Sequence, residues 1–173
     1  MWLLNQGDTE WVREGLPPPE RGSQGSGTKI DVGPSVLGVM GGAAETYLAL
    51  GECENAVICA TADIDSKEHR LFGELRTMAF ISLGRAKARL GRAEEAASAF
   101  QRAIEHAQLC HLRYFELIAH RDYIVHVLDP QGRRSDHLPA LGACLRTLVL
   151  PPAAYRPILG EGMDPEEAAA LAS

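Results

Sequence analysis

Apolar residues recur through the middle of this chain at intervals of three and four, the spacing that gives an α-helix one apolar face. Leu75, Met78, Ala79, Ile81, Leu83, Ala86 and Leu90 keep mostly to it, as do Ala96, Ala99, Phe100, Ala103, Ile104 and Ala107. Gly91 separates the two runs and supplies the positive φ with which a helix C-terminus turns. Arg85, Lys87 and Arg89 crowd the end of the first run, and Glu94 and Glu95 open the second. Each sign stands where the helix dipole favours it. The stretch from Thr77 to Cys110 is therefore predicted to be a helix hairpin, with small alanines admitting two backbones and Phe100 filling the wider gap.

The same plan repeats on either side. Tyr47, Leu48 and Leu50 end a helix before Gly51, and Ala56, Val57, Ile58 and Ala60 continue after it. Gly38, Gly41 and Gly42 weaken that first helix by roughly 1 kcal/mol each relative to alanine. Downstream, the stretch 112–128 carries Phe115, Leu117, Ile118, Tyr123, Val127 and Leu128 at helical spacing, until Asp129-Pro130-Gln131-Gly132 breaks it. A shorter helix over about 136–148 presents Leu138, Leu141, Leu145 and Leu148. Asp65-Ser66-Lys67-Glu68 reads as a capping box that opens the helix running into the central hairpin. The predicted hairpins span about 35–64, 65–109 and 112–149, and their turn glycines, Gly51, Gly91 and Gly132, stand 40 and 41 residues apart.

The run Leu83-Gly84, Gly91, Ala96, Phe100, Ala103 resembles the tetratricopeptide repeat, in which a Leu-Gly pair, a turn glycine, a small alanine, an aromatic and a second alanine fall at these relative positions. Two positions depart from the family: Lys87 stands where it usually has Tyr, and Gln108 where it usually has Pro. Tyr47 occupies the family's Tyr position in the first hairpin, where Ala60 replaces the aromatic. The spacing of about 40 is similar to the longer variants of the repeat. The resemblance implies an all-α fold, a short right-handed α-solenoid of about three antiparallel helix hairpins. It also implies a concave groove lined by the first helix of each hairpin, taking a peptide or protein partner. Carried onto the central hairpin, the groove positions are Met78, Ile81, Arg85, Ala88 and Arg89, with Arg85 and Arg89 one turn apart and suited to a carboxylate of the ligand.

Outside the hairpins the pattern changes. Residues 1–34 hold Pro17-Pro18-Pro19 and GSQGSGTK and no sustained period, which reads as a flexible leader with Trp2 and Trp11 as its anchors. GSQGSGTK is not a phosphate-binding loop, because Thr28 separates the last glycine from Lys29 and no apolar strand precedes it. In 151–173, Pro151-Pro152 is expected to end the array, and Tyr155 to Gly162 reads as an irregular segment laid against the last helix. Asp164-Pro165-Glu166-Glu167 then opens a short helix that caps the open end.

Composition narrows the function. A net charge of −6 gives no basic face for general nucleic-acid binding. The opening Met1-Trp2-Leu3-Leu4 runs at once into polar residues, so no secretory signal or membrane span is predicted, and the chain is expected in the cytoplasm. Cys53, Cys59, Cys110 and Cys144 are scattered through apolar helical stretches and read as reduced core thiols. His106, Cys110 and His111, with His137 and Cys144 as a second group, lack the paired short spacings of a zinc site. His120 and Asp122 lie close together with no recognisable nucleophile beside them. No catalytic, cofactor or metal site is therefore expected. The expectation is a non-catalytic scaffold binding a protein or peptide. The alternatives are a sensor arm of a larger regulatory protein and a helical enzyme of unfamiliar type.

Overall fold

The three turn glycines do what their spacing predicts. Gly51, Gly91 and Gly132 take φ of 77°, 74° and 68°, the left-handed region that costs glycine nothing and other residues about 1–2 kcal/mol. At each turn the residue after the glycine donates its N–H back five positions: Glu52 to Tyr47 O (2.8 Å), Arg92 to Lys87 O (2.9 Å) and Arg133 to Leu128 O (2.9 Å). These bonds satisfy carbonyls that a helix end leaves open. A fourth turn uses the same bonding with no glycine. His111 has φ 58°, and Leu112 donates to Ala107 O at 2.8 Å.

A computed structural model describes residues 34–66 and 73–148 and, beyond them, 154, 158–160, 163, 167 and 170. The expected leader with its two tryptophans, and most of the expected capping helix, lie outside the described residues. The elements are α1 (Pro34–Ala49), α2 (Cys53–Asp65), α3 (Gly73–Arg89), α4 (Ala93–Leu109), α5 (Arg113–Tyr123) and α6 (Leu138–Leu148). Among the described residues there is no strand, and no helix is long and apolar enough to cross a membrane. Helix α1 runs through Gly38, Gly41 and Gly42. Asp65 is the last residue of α2 rather than the cap of a following helix, because the i−4 hydrogen bonds continue to Ser66, which donates to Ala62 O (3.0 Å) and is itself extended. The rest of that predicted capping box, Lys67 and Glu68, lies outside the described residues.

The helix predicted over 112–128 is α-helical only to Tyr123 and widens into a π-helical turn at Ile124–Leu128. Short 3₁₀ turns at Asp129–Gln131 and Arg134–Asp136 lead on to α6. Pro130 keeps a regular helix from continuing past the π-helical turn, since it has no N–H for the carbonyl of His126 and its ring crowds that carbonyl.

Each helix packs on the next, and the first helices of the three pairs also touch in succession, α1 on α3 and α3 on α5. Helix α3 is thus enclosed by α1, α2, α4 and α5. Thr77, Ala86 and the whole run from Ala79 to Gly84 are buried, so α3 has an apolar wrap rather than the single stripe its pattern predicts. Phe80 and Ser82 belong to that wrap. Gly84 lies against Phe100: a Cβ there would fall 2.7–2.8 Å from the ring. The Leu-Gly and aromatic positions of the motif are therefore one contact. A second apolar cluster joins Leu117, Ile124 and Leu128 to Leu141 and Leu145 of α6, and Leu159 and Met163 complete it.

Candidate interaction surface

The five residues expected to meet a ligand fall in different environments. Ile81 is in the core at 3% exposed, because α1 and α5 close over that side of α3. Ala88 is half-buried and packs on the same core, and Met78 is half-buried. Arg89 is exposed, with one terminal N–H donated to the carbonyl of Leu48.

Arg85 meets carboxylates of its own chain in place of the expected ligand carboxylate. Its Nε donates to Asp122 Oδ2 at 2.6 Å, and a terminal nitrogen donates to both oxygens of Glu45 at 2.9 Å. Ser82 Oγ donates to the same Glu45 carboxylate. Asp122, buried on α5, also accepts from Arg121 Nε at 2.7 Å, and Arg121 reaches on to the carbonyl of Ile158. Burial alone would lower the Arg85 pKa, but the two carboxylates outweigh it and raise it. One guanidinium thus ties α1, α3 and α5 together. Glu45 and Arg85 each stand six residues before a turn glycine, whereas Asp122 stands ten before Gly132, so no common register marked the second acid.

His120 and Asp122, neighbours in sequence, point to different partners, since residues two apart do not share a helix face. His120 Nδ1 lies 2.7 Å from His137 Nε2, and its Nε2 lies 3.9 Å from Glu116 Oε1. Burial first, and the neighbouring imidazole second, lower the His120 pKa to about 4. Burial lowers that of His137 as well. Glu116, also buried, accepts from Gln108 and from Arg113, each at 2.8 Å. His106 and Cys110 approach to 3.9 Å, while His111 stands exposed on the fourth turn. Thr77 Oγ1 donates to Gly73 O (2.8 Å) and sits 2.9 Å from His106 Nδ1. Among the described residues no group of three or more His, Cys, Asp or Glu side chains is arranged to hold a metal ion.

No family model, curated protein or solved structure matches the chain.

Proposed function

We propose that this chain is a non-catalytic interaction module of the tetratricopeptide-like kind, a short solenoid whose first helices present a surface to a peptide or protein. The observation that carries this reading is the succession of contacts from α1 to α3 to α5, with hairpin turns at a period of about 40 residues. A solenoid needs neighbouring repeats to bury each other's faces, and its first helices then share one side. On that side the charges of Arg85, Glu45 and Asp122 are spent on holding the repeats in register. Recognition falls instead to Met78, Ala88 and Arg89, with Arg89 as the exposed cation.

The test is capture of partners from native lysate by wild type and by a Met78→Glu, Arg89→Glu variant with an unchanged circular-dichroism spectrum. Arg85 is left intact, since a third carboxylate beside Glu45 and Asp122 would unsettle the fold. A partner held by wild type and lost by the variant supports the reading. A partner held equally by both removes it from this face.

A further inference from the structure

The turn between α4 and α5 differs from the other three. It holds a β-carbon residue, His111, in the left-handed region where its counterparts are glycines. Nothing in the hydrogen bonding requires histidine, because the same two backbone bonds form at the glycine turns. Strain kept where a cheaper residue would serve points to a use for the side chain. The turn is also where apolar surface meets water: Leu109 is 80% exposed and Tyr114 50%, and they are the only exposed large hydrophobic residues among those described.

An independent feature adjoins this edge. Arg102, seven residues and two helical turns before Leu109, lies on the same face of α4. Its guanidinium carbon stands 4.5 Å from the centre of the Phe80 ring, and that of Arg76 stands 5.9 Å from the same centre. Neither arginine meets a carboxylate among the described residues, and Arg76 Nε is buried without an acceptor. In a chain of net charge −6, where Arg85, Arg92, Arg113, Arg121, Arg133 and Arg134 all pair with acids, two stacked and uncommitted cations stand out. Glu105 is the carboxylate nearest them along α4.

We infer that this edge, formed by Arg76, Arg102, Leu109, His111 and Tyr114, docks an acidic segment of another protein that carries a bulky apolar side chain. The aromatic ring holds the guanidinium planes in place, so little freedom is lost when a carboxylate arrives. The apolar side chain covers Leu109 and Tyr114, roughly 10 Å away along α4 at 1.5 Å per residue. This surface is separate from the face made by α1, α3 and α5, and it stands or falls independently of it.

The experiment is selection of a random-peptide display library on the full chain, followed by affinity measurement of the enriched peptides. The expected consensus pairs Asp or Glu with Leu, Ile, Phe or Trp. Arg102→Glu and Leu109→Asp each weaken binding at least about tenfold, as loss of a central contact does, and Glu105→Gln strengthens it. These positions are exposed, so the variants keep the fold, which circular dichroism checks. Affinity falls as salt rises from about 0.05 to 0.5 M. A consensus without acids, peptides that bind all three variants as they bind wild type, or no enrichment would overturn the inference. So would enrichment that appears only after residues 1–33 are removed, since the edge would then belong to the chain's own N-terminal segment.

Discussion

Single residues decide where this chain tolerates change. Gly84 has no room for a β-carbon against Phe100. Overpacking of that kind costs about 1–3 kcal/mol, so Gly84→Ala is expected to lower the unfolding free energy obtained from urea titration by that amount. His111→Gly should do the reverse. Relief of left-handed strain, about 1–2 kcal/mol, outweighs the entropy that glycine adds to the unfolded chain, leaving a gain of about 0.5–1 kcal/mol. A loss of stability would show that the His111 side chain supports the fold, which would weaken the case for a docking role. At His120 the sign of the pH dependence follows from burial. The imidazole is held neutral down to about pH 4, whereas in the unfolded chain it binds a proton near 6.5. The unfolded state thus takes up more protons as pH falls from about 6.5 to about 4. Stability is expected to drop through that window by up to roughly 3 kcal/mol, and His120→Gln should flatten the profile of unfolding midpoint against pH.

At the scale of elements, one cation with two acids links the first helices of the three pairs. Asp122 is almost wholly buried and is shared by Arg85 and Arg121. Truncating one partner of a buried pair leaves the other uncompensated and costs about 3–5 kcal/mol, less where the cation is partly solvated. Arg85 keeps some exposure, so Asp122→Ala is expected to destabilise by about 2–3 kcal/mol. A double-mutant cycle with Arg85→Met should return a coupling of the same sign; additive effects would show that the guanidinium does not link α3 to α5. The sequence carried much of this level. Turn glycines and helix partners follow from local spacing and from the conformations glycine allows. The π-helical turn did not, although Pro130 marked its neighbourhood, because hydropathy is silent about how a helix ends. The boundary at Asp65 was misread for a related reason. An Asp-Ser-x-Glu run has the composition of a helix start wherever it falls, and only the continuing hydrogen bonds show that Asp65 closes α2.

For the whole molecule, the order of packing predicts the order of opening. Helix α3 is enclosed by four neighbours and α4 packs against it along most of its length, whereas α1 and α6 have fewer neighbours. Amide hydrogen exchange in the native state should therefore be slowest in α3 and α4 and faster toward α1 and α6. Uniform protection across all the helices would mean that the molecule opens as one unit. Thiol reactivity should follow the same logic. Cys53 and Cys110 are half-buried, while Cys144 is buried and its pKa is pushed up to about 12, chiefly by burial. A neutral-pH thiol reagent should label the first two in the folded protein and reach Cys144 only on unfolding.

The sequence by itself determined the helical class, the places where the chain turns and the pairing of neighbouring helices. These depend on residues close together along the chain, where spacing and backbone freedom are enough. It did not determine which face of α3 meets solvent. Ile81 was expected to line a groove and is in the core, and Arg85 was expected to wait for a ligand and is engaged by Glu45 and Asp122. Both outcomes depend on side chains about 40 residues away that arrive only when the helix pairs pack together. Burial and charge pairing are properties of that tertiary neighbourhood, so the tertiary structure alone decided which of the candidate residues stay exposed or unpaired with acids.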